Sequence, residues 1–286
     1  MTKKLDFLIH HMPRTGSTWL SKLLTENSQA CVLPETNFLF YILNEKKKLK
    51  YENLLKFDNK FLDLGIDKIK ISSILKNKNR HKVIDQICSL SAKKIYKKSN
   101  LYIGLKKTAL NYTINLINSK KVKIIFLIRD IRDIYLSNLQ ANKIRNKFKT
   151  SILRNIYDWN IECIFFENMK KKNFIKVKYE DLIINNKKEI EKILKFLSLK
   201  FIKKNKSYHL PQKYKNIHKN LEINNLSNNS KKYIDKLSFI KNFIIIIFCY
   251  HYLLKLNYIK KNYFYEIINC PIYLIFKFLF FLRLYK

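Results

Sequence analysis

Apolar positions fall along this chain in two alternating rhythms. Residues 5–11 (LDFLIHH), 101–106 (LYIGLK), 122–128 (VKIIFLI) and 174–179 (FIKVKY) are short apolar runs of strand length. Between and after them, apolar side chains recur at helical spacing in 18–28, 83–98, 109–118, 131–142, 151–170 and 187–197. Strands that alternate with helices imply a parallel sheet covered on both faces. The pattern therefore predicts an α/β fold, a three-layer sandwich around a central parallel sheet. Residues 44–80 are lysine-rich and poorly periodic, and 203–230 are dominated by Lys, Asn and Ser, so both read as loops or insertions. Neither reads as a domain linker, and no internal repeat is found.

Residues 239–254 (FIKNFIIIIFCYHYLL) form one strongly apolar helix, and a second apolar stretch, 263–284, follows. The predicted organisation is one domain over residues 1–258 with 259–286 as an apolar tail. Within the tail, 271–284 (PIYLIFKFLFFLRL) is 14 residues long, too short to cross a hydrocarbon core of roughly 30 Å. Starting at Tyr263 lengthens it but includes Glu266. With lysines flanking it, an interfacial helix is the better membrane reading. Packing onto the domain or a partner, and a true span, are the alternatives.

Composition changes the picture less than its size suggests. The formal net charge of +37 would attract any polyanion, nucleic acid or anionic membrane alike. Yet Lys, Asn, Ile, Tyr and Phe are abundant while Gly falls to 3 and Pro to 4, a skew expected of AT-rich codons. Most of the lysine then reads as drift on solvated faces, and no specific nucleic-acid partner is expected. The five cysteines are far apart and form no CxxC pair, and no histidine stands at metal-ligand spacing, so the chain is expected to be reduced, metal-free and cytoplasmic. Its start carries no credible signal peptide. The same skew makes exceptions informative. Of seven arginines, Arg14, Arg129 and Arg132 sit in two short segments, and Gly16, Pro13 and Pro34 lie in or just after the first.

That first segment, PRTGSTWL at 13–20, joins the first strand to the first helix. Backbone N–H groups and the helix dipole converge there on any anion. A Walker loop, GxxxxGK[ST], would place a lysine directly after Gly16, but Ser17 and Thr18 follow it and the cation, Arg14, precedes it by two. A magnesium-dependent NTPase is thereby disfavoured. The second segment, VKIIFLIRDIRDIYLSNLQ at 122–140, is a buried strand ending in Arg129 and entering a helix that carries Ser137. An arginine there can cap a sheet edge or grip a phosphate with its bidentate fork.

The two segments together resemble the sulfotransferase family, over residues 5 to about 200. The resemblance implies a P-loop nucleoside triphosphate hydrolase-like fold and use of 3′-phosphoadenosine 5′-phosphosulfate (PAPS) as sulfuryl donor, without a metal. Carried over, Arg14 holds the bridging and sulfuryl oxygens. Thr15, Gly16, Ser17, Thr18 and Trp19 form the 5′-phosphosulfate cradle, and Arg129 and Ser137, eight residues apart, grip the 3′-phosphate. Asp130, Arg132 and Asp133 complete an R-D-x-R-D pattern that equally serves to lock a helix start. Tyr179, in VKYEDL, matches a family tyrosine near the adenine, with core packing as its alternative. Leu256, Asn257 and Tyr258 are similar to the family's terminal L-G-Y, with Asn257 in the glycine's place.

The family's cytosolic branch takes its base from a Lys-Thr-His segment, whereas this chain reads Lys107, Thr108, Ala109. A second branch, which includes the tyrosylprotein sulfotransferases, has arginine in the first motif and a glutamate then threonine shortly after the first helix. Pro34, Glu35 and Thr36 stand there. The resemblance implies Glu35 as general base, the alternative being a carboxylate at a helix N-terminus. It implies Lys107 as stabiliser of the leaving group, the alternative being a surface lysine. The expected activity is sulfuryl transfer to a hydroxyl of a small molecule, glycan or lipid, with carbohydrate or glycolipid favoured. The tail gives a route to the cytoplasmic face of a membrane. The rivals are a P-loop nucleotide kinase and a non-enzymatic basic protein held to membrane or nucleic acid.

Overall fold

A computed structural model describes residues 5–44, 49–57, 59–97, 102–107, 122–144, 151–169, 173–202, 208–210 and 230–284. Strand β1 (Phe7–His11) is buried at every position, as a strand covered on both faces must be. The chain turns into α1 (Ser17–Glu26) and returns along β2 (Ala30–Val32). Helices α2 (Phe38–Asn44), α3 (Tyr51–Phe57), α4 (Lys68–Leu75) and α5 (Arg80–Tyr96) lead to β3 (Tyr102–Lys107). Then come β4 (Lys123–Ile128), α6 (Ile131–Ile144), α7 (Ile152–Glu167), β5 (Phe174–Lys178), α8 (Tyr179–Ile184) and α9 (Asn186–Leu197). Helices α10 (Tyr233–Lys236), α11 (Phe239–Lys255) and α12 (Tyr263–Leu284) complete the described chain.

The five strands lie in the order β2-β3-β1-β4-β5, every neighbouring pair parallel. β1 is central, and the chain leaves it first toward β2 and β3 and later crosses to β4. That reversal opens a crevice at the carboxyl ends of the strands, where α/β sheets take their ligands. On one face Phe7, Ile9, Ile125 and Leu127 pack with Leu20 and Leu24 of α1 and Ile190 and Ile193 of α9. On the other, Leu8, Phe126 and Ile128 pack with α5, α7 and α11 through Ile87, Trp159 and Leu253. The result is the expected three-layer, P-loop-like α/β sandwich. Gly104 on β3 explains one exception to the lysine drift: a Cβ there would meet the Phe7 ring at 2.2 Å.

Two expectations are corrected. Residues 44–80 are not simply loop, since they contain α3, a 3₁₀ turn (Asn59–Leu64) and α4, which bury Leu54, Phe61, Leu64 and Ile71 in the core. Sparse apolar residues on short helices produce too few repeats to show a period. The short edge strand β2 was also unforeseen, because three residues, Ala-Cys-Val, carry no pattern. The helix expected at 109–118, and most of 203–230, lie outside the described residues. The last helix begins at Tyr263 and runs through Pro271 as one 22-residue element, about 33 Å long at 1.5 Å per residue, rather than starting at 271.

Candidate active site

The loop after β1 needs unusual backbone. Arg14 has φ 70° and Gly16 φ 90°, the left-handed region that glycine enters without cost and other residues do not. The loop is held by Thr15, whose Oγ1 donates to the Met12 carbonyl at 2.9 Å. Gly16 caps α1 with no side-chain hydrogen bond, so the first-turn N–H groups and the positive end of the dipole are left to an external anion. The ring of Tyr179, first residue of α8, lies over Gly16 so closely that a Cβ would meet it at 2.3 Å. Glycine is required here twice, for its φ and for its lack of a side chain.

The second anion motif touches the first. Arg14 Nε donates to Ser137 Oγ on α6 at 3.0 Å, and Arg129 Nη1 donates to the Arg14 carbonyl at 3.1 Å. The Arg129 guanidinium lies 4.4 Å from the centre of the Tyr179 ring, with Asp133 at 3.8 Å from its Nη2. Arg14, Gly16, Arg129, Ser137 and Tyr179 thus form one patch at the carboxyl ends of β1 and β4. Burial pushes the Tyr179 phenol up and, against the pull of Arg129, raises the Asp133 carboxyl as well.

The remaining R-D-x-R-D residues build the wall behind that patch. Asp130 accepts from Arg132 at its backbone N (2.9 Å), Nε (2.9 Å) and Nη2 (2.6 Å), while Arg132 Nη2 also donates to the Tyr258 carbonyl at 3.1 Å. Asp133 accepts from the backbone N–H groups of Lys231 and Tyr233. Glu180, its carboxyl pushed up by burial, accepts from Asp130 N–H and from the Tyr258 hydroxyl. Three distant segments are clamped to the start of α6. Asn257 takes φ 56° beside this clamp, which accounts for asparagine in the family glycine's place, since asparagine tolerates that region best after glycine.

On the other side of the cradle the structure brings up a cation that the sequence did not single out. Lys106, buried on β3, reaches Thr18 Oγ1 at 3.5 Å and the Tyr208 hydroxyl at 3.2 Å. Lys107 ends β3 with its Cα opposite His10; its side chain, and Thr108 and Ala109, lie outside the described residues. Nothing in the sequence around Lys106 marks it as the residue that meets Thr18. Glu35 is half-buried just beyond β2, near enough to His11 for its charge to act on that ring. Ser17 is buried in the first turn of α1, and Trp19 follows with Lys22 Nζ 5.5 Å from its ring.

The two histidines of β1 diverge because successive strand residues face opposite ways. His10 turns toward α7, where its Nε2 pairs with Glu162. His11 has Nδ1 2.8 Å from the Met12 carbonyl, which can only accept, so Nδ1 carries the proton. Its Nε2 is buried and has no hydrogen-bond partner among the described residues. Burial lowers its pKa to about 4, with Lys106 and His10 adding to the effect and Glu35 opposing it. His11 is therefore a neutral imidazole near Glu35, its Nε2 lone pair without a partner among the described residues.

A parallel sheet of this order, with a glycine-capped helix start after its central strand, an arginine two residues before that glycine and serine where a Walker loop has lysine, is a P-loop-like arrangement suited to an anionic group. Residues 4–242 match the sulfotransferase domain family, and the chain belongs to it. It is a sulfotransferase. Among solved structures, the sulfotransferase domain of the Synechococcus olefin synthase is 15% identical, with 86% of this chain and 94% of that chain covered and a TM-score of 0.54. A sulfotransferase from Alicyclobacillus acidocaldarius is 8% identical over 75% of this chain and 89% of that one, TM-score 0.46. A mouse sulfotransferase complexed with PAP is 12% identical over 77% and 64%, TM-score 0.40. Among curated protein sequences none matches.

Proposed function

We propose that this sulfotransferase uses PAPS as donor, belongs to the arginine/glutamate branch, and delivers the sulfuryl group to a hydroxyl of a carbohydrate or glycolipid. The observation that carries the donor assignment is the contact between the two anion motifs, Arg14 to Ser137 and Arg129 to the Arg14 carbonyl. A donor with phosphates at both 5′ and 3′ positions requires two such sites side by side. The residues present fit it: an uncapped helix start, a glycine with no Cβ, and the cations Arg14, Lys106 and Arg129.

PAPS supplies the transferred group: as the acceptor oxygen bonds to sulfur, the S–O bond to the 5′-phosphate breaks and its electron pair leaves with the nucleotide. The protein's part is positioning and charge stabilisation. Arg14, Lys106 and the first-turn N–H groups of α1 hold negative charge at the cradle. Arg129 and Ser137 hold the 3′-phosphate, with the Tyr179 ring 4.4 Å from the Arg129 guanidinium beside them. Lys107 is assigned to the leaving group through the family motif. Glu35 takes the acceptor's proton. His11 is the second candidate for that proton, favoured by an Nε2 without a partner among the described residues. The acceptor class is supported only through the apolar C-terminal helix, which gives the chain access to lipid; a labelled-sulfate transfer screen across sugars, lipids and phenols tests it.

The product nucleotide, 3′-phosphoadenosine 5′-phosphate, should raise the melting temperature by mass action. Arg129→Ala should weaken its binding by about tenfold to a hundredfold, since a hydrogen bond to a charged group contributes roughly 1.5–3 kcal/mol. Adenosine 5′-phosphosulfate, which lacks the 3′-phosphate, should be nearly indifferent to the change. Equal losses for both nucleotides would refute the role given to Arg129.

A further inference from the structure

Helix α12 has two faces of different character. Its inner face docks on the domain: Phe276 lies 6.2 Å from Tyr157 and Phe280 6.4 Å from Phe165, both ring to ring on α7. Asn269, also buried, donates to the Ile247 carbonyl at 2.6 Å and accepts from His251 N–H at 3.1 Å on α11. Tyr273 stacks on His251 at 4.0 Å and donates to Glu167 at 3.3 Å. The outer face is apolar for most of its length and bare. Ile267 is 75% exposed, Leu274 59% and Phe278 63%. A chain of ring contacts from Phe264 through Tyr265 and Phe243 to Phe239 joins it to the exposed start of α11.

We infer that this outer face lies flat in the interface of an anionic lipid bilayer. The inference goes beyond the sulfotransferase reading and does not depend on it. A continuous exposed apolar face of this kind marks an interaction site. Charge selects the occupant. The chain carries +37, which opposes association with a second copy and favours a surface of anionic headgroups. Exposed Lys260 and Lys261 stand at the start of α12 and exposed Lys241 at the start of α11, while the helix's one acid, Glu266, is paired with Lys261 at 3.4 Å.

The inner face decides between lying in the interface and crossing. Among the described residues, Tyr263–Leu282 is long and apolar enough by length and composition to span. To do so it would have to leave α7 and α11, and Asn269 would enter hydrocarbon without its two hydrogen bonds, at a cost that water would not relieve. Docked as it is, the helix can offer lipid only its outer side.

The test uses the full chain labelled with an environment-sensitive fluorophore at Cys270, which is exposed, whereas Cys31, Cys88, Cys163 and Cys249 are buried. Vesicles of phosphatidylcholine and phosphatidylserine in equal parts should raise and blue-shift the emission, and phosphatidylcholine alone should do so weakly. Nitroxide lipids labelled near the headgroup should quench more than those labelled at the chain end. The double variant Leu274→Ser/Phe278→Ser should lower the partition coefficient at least about tenfold, because two apolar side chains no longer enter lipid. Its thermal unfolding should match that of the parent. Absent vesicle binding, or binding indifferent to the double variant, overturns the inference. So does dominant chain-end quenching, which would mean a span. A lipid-free dimer abolished by the same variant would assign the face to a second copy.

Discussion

The cradle end of the sheet and the C-terminal helix invert the usual arrangement in opposite directions. At the cradle, polar and charged groups are buried: Thr15 is 1% exposed, Asp133 2%, Asp130 3% and Arg132 4%. At α12, large apolar side chains stand in the open. Buried polar groups cost free energy unless they find partners of the right geometry, so most of these residues are fixed in kind. An exposed apolar face asks only for apolarity, so its members are interchangeable. This is why arginine, glycine and proline persist around Gly16 in a chain otherwise rich in lysine, while the outer face of the last helix is built mostly of interchangeable Phe, Leu and Ile.

The sharpest way to break that contrast is at Glu35, the carboxylate near His11. Glu35→Gln keeps the shape but cannot take a proton, and should lower kcat by roughly 10²- to 10⁴-fold with little change in nucleotide affinity. Near-normal turnover would move the base elsewhere, with His11 next, and the glutamate-branch assignment would fall while the family membership stood.

Asp130→Ala should show that the clamp is structural. Removing it strands the buried Arg132 guanidinium, which costs about 3–5 kcal/mol for a buried pair broken on one side. Urea unfolding reads this directly, and a loss below about 1 kcal/mol would mean the clamp is slack.

His11 gives a pH signature. Its pKa is about 4 folded and near 6.5 unfolded. Between these values the unfolded chain binds a proton that the folded one does not, so stability is present above pH 6.5 and falls as pH drops toward 4. The full difference is roughly 3 kcal/mol at about 1.36 kcal/mol per unit. Burial dominates this value, with Glu35 and the Met12 carbonyl opposing it and Lys106 and His10 adding to it. His11→Gln should flatten this part of the stability profile relative to the parent; parallel profiles would show that His11 is not the neutral, buried group described.

The smallest effect belongs to the other region. Leu274→Ser, on the outer face of α12, should change unfolding free energy by no more than about 0.5 kcal/mol, as surface substitutions do. A loss comparable to that of Asp130→Ala would mean that this face is covered in solution.

Sequence alone determined the α/β class, β1, β3, β4 and β5, the helices at 18–28, 83–98, 131–142, 151–170 and 187–197 in outline, and the two motif segments at 13–20 and 122–140. These are local signals: an apolar run long enough to be a buried strand, then a glycine that must take positive φ, then a helix. It did not reveal β2 or the short helices within 44–80, whose apolar residues are too few to repeat. Nor did it choose between neighbours. Lys106 meets Thr18, and His10 pairs with Glu162 while His11 Nε2 has no hydrogen-bond partner among the described residues, because the side a strand residue faces depends on which helices cover the sheet. The R-D-x-R-D pattern was legible as a motif, yet its partners, Tyr258, Glu180 and the backbone at Lys231 and Tyr233, lie 50 to 126 residues away. Only the folded chain brings them together. The same holds for α12: its apolarity is written in the residues, but the docked Asn269, Phe276 and Phe280 that keep it from being a free tail are placed by packing against α7 and α11.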